Sequence, residues 1–173
     1  VVLYTMMKKL LVLLFPLFLL TGCTQYAKVQ KSMDFDYKYE LAKAYYVGGE
    51  YSQASSLLED MLAFTKGTMY AEEALYMLSM CYYNMKDYVT ASHYFTTYFN
   101  TYSRGVYAET ARFMSARALY LDTPDPRLDQ SSTIKAIGEI QVFAEYYPYS
   151  RYKEQIHDML YELHDRLVEK EYR

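Results

Sequence analysis

The chain of 173 residues contains no tryptophan, only two cysteines, six glycines and four prolines. So few cysteines exclude a disulfide-rich scaffold, and so little glycine and proline excludes a collagen-like or low-complexity chain. The formal net charge is only −3, which gives no basic surface for nucleic acid. Runs that alternate apolar and polar residues, typical of half-buried strands, are also missing. The composition favours a helical globular protein with a sizeable core.

An apolar run near the N-terminus, residues 10–20, follows Lys8 and Lys9 and leads into Leu-Thr-Gly-Cys at 20–23. As a helix it would span about 16 Å, roughly half of a ~30 Å hydrocarbon core. A basic flank, a short apolar run and small residues at its end are typical of a secretory signal. Its end resembles the bacterial lipobox, which implies that Cys23 becomes lipid-modified and N-terminal. A plain signal peptide that happens to contain a cysteine is the alternative.

We therefore expect a signal peptide at 1–22, a lipid-anchored linker at 23–33 and a repeat domain at 34–173. Thr24 follows Cys23, so the aspartate that retains some lipoproteins in the inner membrane is missing and the outer membrane is the expected destination. Cys81 is then the only thiol left outside the cytoplasm. Between Met80 and Tyr82 on a predicted helix, it is expected to be a small buried residue rather than a nucleophile.

Sequence segments recur along the rest of the chain at a spacing of 37 residues. Tyr-Ala-Glu-Glu-Ala at 70–74 recurs as Tyr-Ala-Glu-Thr-Ala at 107–111, and 50–55 recurs as 87–92. Each unit is predicted to be two helices joined by a short turn. The predicted helices span 34–47 and 51–64, 70–84 and 88–100, 107–121 and 132–146, with a further helix at 152–170.

Small residues recur where the two helices of each unit are expected to cross closely. They are Ala42, Ser79 and Ala116 in the first helices, and Ala54, Ala91 and Ala136 in the second helices. The units resemble tetratricopeptide repeats, although the tryptophan usual in the first helix is absent. The resemblance implies an all-α, superhelical solenoid of three repeats plus the first helix of a fourth. That last helix is either the sign of a truncated chain or a natural capping helix.

Tyrosine is unusually abundant, with 23 residues, and many tyrosines fall into two rows when the repeats are aligned. In tetratricopeptide repeats the first helices line a concave face, and members of the two rows lie seven residues apart on one stripe. A groove of amphipathic rings with two cations is predicted, suited to a peptide with aromatic side chains and a carboxylate. Packing of the rings between helices is the alternative. One row is Tyr39, Tyr76 and Phe113; the other is Tyr46, Tyr83 and Tyr120; Lys43, Met80 and Arg117 lie between them.

The connection at 121–133 is eight residues longer than its counterparts. Pro124 and Pro126 favour extended backbone, and the polar side chains around them are expected to hydrogen-bond the local backbone. Long loops in compact arrays are often functional, so Pro124, Asp125, Pro126 and Arg127 are predicted to contact a partner.

Together, the lipobox, the degenerate repeats, Ala-Ser-His-Tyr-Phe at 91–95, the insertion at 121–130 and the helix at 165–172 resemble the BamD lipoproteins, in a form like that of Bacteroidetes. The resemblance covers Cys23 to the end of the sequence. It implies a component of the outer-membrane β-barrel assembly machinery that binds unfolded barrel proteins and a BamA-like insertase. Family members carry more repeats, and the C-terminal repeats that dock BamA have no counterpart here.

No catalytic set, cofactor site or metal site is predicted. His157 and His164 share one helix face without a third ligand, and they and His93 are expected to be solvated. Glycine-rich phosphate loops and a nucleophile at a strained turn are missing. Two other functions remain open: an envelope scaffold for cell-wall or division partners, and an accessory subunit for glycan uptake whose tyrosines stack on sugars.

Overall fold

The computed structural model describes residues 34–64, 67–68 and 70–171. The predicted signal peptide, Cys23 and the linker lie outside these residues. The described ranges contain helices and no strand. The helices are α1 Phe35–Val47, α2 Tyr51–Leu62, α3 Ala71–Asn84, α4 Tyr88–Thr101, α5 Ala108–Leu121, α6 Ser131–Tyr146 and α7 Lys153–Glu171. Every predicted helix is present, and the largest difference is that α2 ends two residues early.

Each helix packs on the next one along the chain, so that α1–α2, α3–α4 and α5–α6 form successive helical hairpins and α7 packs on α6. The first helices of neighbouring hairpins also touch, as α1 and α3 do. This arrangement confirms the all-α, tetratricopeptide-like solenoid.

The turns inside the first two hairpins have the same geometry. Gly49 and Lys86, which occupy equivalent positions, both adopt left-handed backbone angles, with φ of 79° and 64°. After each of them the chain donates a backbone hydrogen bond into the preceding helix, from Glu50 N to Tyr45 O and from Asp87 N to Tyr82 O, at 2.9 and 3.0 Å. A left-handed residue at this point is the usual end of an α-helix, and it reverses the chain within three residues.

All six of the predicted small residues are buried. The larger apolar residues that follow four positions later in the second helices, Leu58, Phe95 and Ile140, are completely buried. These positions belong to two hydrophobic clusters, one spanning α1 to α3 and the other spanning α3 to α7. The repeat pattern therefore marks the core directly.

Cys81 is a free, buried cysteine in the first cluster. Burial raises the pKa of its thiol to about 12, which keeps it protonated and unreactive at neutral pH. The prediction of a small core residue is confirmed. Within the described ranges, no helix has both the length and the apolar character needed to cross a bilayer.

Candidate peptide-binding site

The first aromatic row is taken up by contacts between repeats. Tyr39 and Phe113 are each only 2% exposed, whereas Tyr76 is half-buried. Each ring of this row packs against the tyrosine that precedes the next first helix. The ring centroids are 4.7 Å apart for Tyr39 and Tyr70, 4.2 Å for Tyr76 and Tyr107, and 3.9 Å for Phe113 and Tyr152.

The connection between α4 and α5 shows how the sequence places these tyrosines. The Tyr98 hydroxyl donates to the Glu72 carboxylate at 2.5 Å and accepts from the Tyr107 backbone N–H at 3.1 Å. Glu72 also accepts from the Val106 N–H at 2.9 Å. These bonds fix the end of the connection, so that the Tyr107 ring lies flat on Tyr76 with 11° between the planes. The Tyr-Ala-Glu repeat motif thus supplies both the ring and the carboxylate.

A ligand at the surface therefore meets little of this row. The Tyr39 hydroxyl is buried and meets no hydrogen-bond partner among the described residues, and burial together with the nearby Glu73 carboxylate raises its pKa. Phe113 is enclosed by Phe143 and Tyr152. Tyr76 is the member of the row that lines a cavity, and burial raises its pKa to about 12.

The second aromatic row lies nearer to the surface, and its three rings are half-buried. Tyr46 and Tyr83 each pack edge-to-face on the tyrosine that begins the following helix. The centroid distances are 5.8 Å to Tyr51 and 5.6 Å to Tyr88. Burial raises the pKa of both hydroxyls, which therefore stay protonated and available as hydrogen-bond donors at neutral pH.

Tyr120, the third member of the second row, is engaged by α7. Its hydroxyl donates to the Glu162 carboxylate, which is also paired with Arg166. Arg166 lies 5.8 Å from the Tyr120 ring and donates to the Thr123 hydroxyl at 2.7 Å. Helix α7, the first helix of the fourth unit, thus covers this part of the predicted groove.

The residues between the two rows differ in what they contact. Lys43 forms an ion pair with Glu73 at 3.7 Å, and its Nζ lies 5.1 Å from the Tyr39 ring. Met80 is half-buried and packs against the hydrophobic cluster that spans α3 to α7. Arg117 is exposed and lies 5.9 Å from the Tyr83 ring, and no carboxylate among the described residues forms an ion pair with it.

A pocket of about 240 Å³ opens between the first and second repeats. It brings together Lys43, Tyr46 and Tyr76, which the sequence placed in one groove. Val47, Glu73, Met77 and Tyr107 complete its lining. These four residues were not predicted from the sequence. Tyr107 and Glu73 belong to the recurring segments at 70–74 and 107–111, and that recurrence could have marked them as site residues.

The connection between α5 and α6 is held by its own side chains. The Asp125 carboxylate accepts from the backbone N–H and the guanidinium of Arg127, at 3.0 and 2.9 Å. The amide of Gln130, which is buried, donates to the carbonyls of Asp125 and Leu128. Pro124 and Pro126 are half-buried, whereas Arg127 is exposed. The loop is thus braced while Arg127 stays accessible.

The described part of the chain shows no group of histidine, cysteine or acidic residues that could hold a metal ion. His93, His157 and His164 are all exposed, as predicted.

Tandem helical hairpins with an aromatic pocket between neighbouring units define a helical-repeat protein. The chain belongs to the YfiO family, described as an outer membrane lipoprotein, whose family model matches residues 31–173. A comparison with curated proteins gave no match.

Proposed function

We propose that this chain is a non-catalytic, BamD-like component of the outer-membrane β-barrel assembly machinery, binding unfolded barrel proteins and a BamA-like insertase. Membership of an outer membrane lipoprotein family supports attachment to that membrane. The observation that carries the proposal is the pocket lined by Lys43, Tyr46 and Tyr76. A client segment would bind there by contact alone.

The chemistry of the pocket suits an aromatic side chain beside a carboxylate. Tyr46, Tyr76 and Tyr107 offer ring faces and edges for stacking. Lys43 forms a long, partly exposed ion pair with Glu73, at 3.7 Å. A client carboxylate can take the place of Glu73 in this weak pair. Because the tyrosine rings are held by their neighbours, they lose little conformational entropy when a peptide binds.

Arg117 extends this surface toward the next repeat. It is exposed beside Tyr83, so it offers a second cation next to a ring. An extended client would contact the pocket with one aromatic residue and the Tyr83–Arg117 pair with another. Tyr120 lies beneath Glu162 and Arg166, so it serves this surface only if α7 shifts.

The loop at 121–133 is proposed to contact the insertase or another subunit. Its internal hydrogen bonds hold Arg127 and the exposed Leu128 in a defined position, which lowers the entropic cost of docking a partner.

Photocrosslinking in living cells tests the client site. A photoreactive phenylalanine replaces Tyr46 or Tyr83 in the full-length gene with Cys23 intact, and adducts are identified by mass spectrometry. Position Ile134, exposed on the second helix of the third repeat, is the matched control. Adducts to C-terminal segments of barrel proteins from positions 46 and 83, but not from 134, are expected. Adducts confined to the protein itself would overturn the client site.

An envelope scaffold is the second candidate, and the burial of Tyr39 and Phe113 between repeats favours it. In that case much of the tyrosine content serves packing. Adducts from position 46 to cell-wall or division proteins, with none to barrel proteins, would support the scaffold instead.

A further inference from the structure

The two edges of the solenoid differ in their connections. The first helix of each repeat begins, and the second helix ends, at the same edge, because each hairpin reverses direction once. We call this the anchor edge, formed among the described residues by 63–64, 67–68, 70, 102–107 and 147–152. The distal edge is formed by the connections inside the hairpins, residues 48–50, 85–87 and 122–130.

Charge separates the two edges. Each anchor-edge connection contains one basic residue and no acidic residue. The basic residues are Lys66, which lies outside the described residues, Arg104 and Arg151. The distal-edge connections contain five acidic residues and only two basic ones, Lys86 and Arg127.

Exposed apolar and aromatic side chains accompany the basic residues of the anchor edge. Val106 is 87% exposed and Tyr149 is 97% exposed, and Phe64 and Tyr146 also project into solvent. A cavity of about 580 Å³ lies among Val106, Tyr146, Tyr149 and Arg151. Tyrosine beside basic residues is the composition of membrane–water interfaces.

Two carboxylates near this edge, those of Glu72 and Glu109, are half-buried and hydrogen-bonded, and Glu109 also lines this cavity. Glu72 accepts from Tyr98 and from the Val106 N–H, and Glu109 accepts from the Ser150 hydroxyl at 2.5 Å. Arg104 is exposed, and within the described residues the hydrogen bonds of the Arg151 guanidinium go to two hydroxyls, those of Thr110 and Tyr152. Other exposed acids at this edge belong to helix ends rather than to the connections: Asp34, Asp36, Glu59, Glu145 and Glu154.

The position of α1 relates this edge to the lipid. The helix begins at the anchor edge, and only ten residues, 24–33, separate Cys23 from the Asp34 cap. Fully extended, such a segment reaches about 35–40 Å. Lipid attached to Cys23 is therefore tethered to the chain at the anchor edge, within that reach of it.

We infer that the anchor edge lies against the surface of the bilayer that holds the lipid. Phe64, Val106 and Tyr149 enter the headgroup region, and Arg104 and Arg151 face anionic headgroups. The distal edge, with the loop at 121–133, points away from the membrane. This orientation rests on lipid attachment at Cys23 and is independent of client binding.

Val106 and Val47 form a matched pair for the test, because they are 87% and 84% exposed and lie at opposite edges. Each is replaced by cysteine in the full lipid-anchored chain and labelled with an environment-sensitive fluorophore. The buried Cys81 thiol does not compete for the label. The protein is reconstituted in phosphatidylethanolamine–phosphatidylglycerol vesicles that carry brominated acyl chains, which quench nearby fluorophores.

Strong quenching and a blue shift at position 106, with neither at position 47, are the expected result. Equal quenching at both positions, quenching at 47 alone, or none at either would overturn the proposal.

A second comparison tests the headgroup contact. Arg104→Gln should lower the ratio of docked to undocked label at position 106 by about fivefold, since one cation at an anionic surface contributes that much. The control Lys86→Gln, at the distal edge, should leave the ratio unchanged. An equal effect of both substitutions would show that docking depends only on the net charge of the protein, and it would contradict the proposed orientation.

Discussion

The two rows of the first helices are both aromatic and have the same spacing, yet their rings make different contacts. Tyr39, Tyr76 and Phe113 are covered by a tyrosine of the following repeat, with centroid distances of 3.9 to 4.7 Å. The second-row residues Tyr46 and Tyr83 instead contact the helix that follows within their own repeat. A ring that packs between two repeats stabilises the fold. A ring that packs only within its own repeat leaves part of its surface accessible to a ligand.

The strongest test of this difference is Phe113→Ala. The ring is 2% exposed and stacks on Tyr152 with 3° between the planes, so its loss leaves a cavity between the third and fourth units. We expect the free energy of unfolding to fall by about 3–5 kcal/mol, measured by urea denaturation. Tyr83→Ala is the second-row control and should cost less. Equal losses would remove the distinction between the rows.

Gly105→Ala tests what holds Tyr107 on Tyr76. A methyl group at Gly105 would collide with a Glu72 carboxylate oxygen and lie 2.7 Å from the Tyr98 hydroxyl, so these side chains have to shift and their hydrogen bonds to the connection are disturbed. The unfolding free energy should fall by about 1–3 kcal/mol. In the control Gly138→Ala, where the added methyl group meets nothing within 4 Å, a helical alanine should instead stabilise by about 0.5–1 kcal/mol. A neutral Gly105→Ala would show that the connection is not fixed by these bonds.

Tyr46→Ala tests the ligand-facing row. A synthetic peptide with an aromatic, carboxylate-bearing C-terminus should bind about tenfold more weakly to this variant, as for a moderate contact at an interface. Fluorescence anisotropy gives the dissociation constant, and Ile134→Ala, remote from the pocket, is the control. Amidating the peptide's C-terminus should weaken binding to the native chain as well, because Lys43 then meets no charge. Unchanged affinity in both cases would count against the pocket.

The smallest effect is expected where the second row meets α7. The Tyr120 hydroxyl, and then Arg166, lower the pKa of Glu162. Since the folded-state pKa is the lower one, this stabilisation is present above about pH 4.5, the ordinary value, and is lost as pH falls through the lowered value. Tyr120→Phe should cost about 1 kcal/mol or less at neutral pH, and nothing once Glu162 is protonated. Hydrogen exchange of α7 amides at the two pH values measures the difference; a cost that is the same at both would refute the coupling.

Much of the fold was predictable because each repeat must bury the same positions. Ala42, Ala54 and their counterparts had to be small where helices cross, and this recurrence located every helix to within two residues. The site was harder to predict. Spacing along one helix places Tyr39 and Tyr46 on one stripe, but it does not say which ring the next repeat covers. The covering rings are those of Tyr70, Tyr107 and Tyr152. Their recurrence can be read from the sequence, but which ring each one stacks on depends on the conformation of the connection between repeats.

The stacking of each first-row ring under the next repeat also gives the array a direction. Each unit provides a tyrosine that covers the first-row ring of the unit before it. Tyr107 covers Tyr76 in this way, and Tyr152 covers Phe113. Among the aromatic stacks, detaching α7 therefore uncovers the enclosed Phe113 ring, whereas detaching α1 removes the partner of Tyr70, a ring that is already half-buried. A partner that holds α7 in place therefore also keeps Phe113 enclosed, and a partner that displaces α7 exposes it.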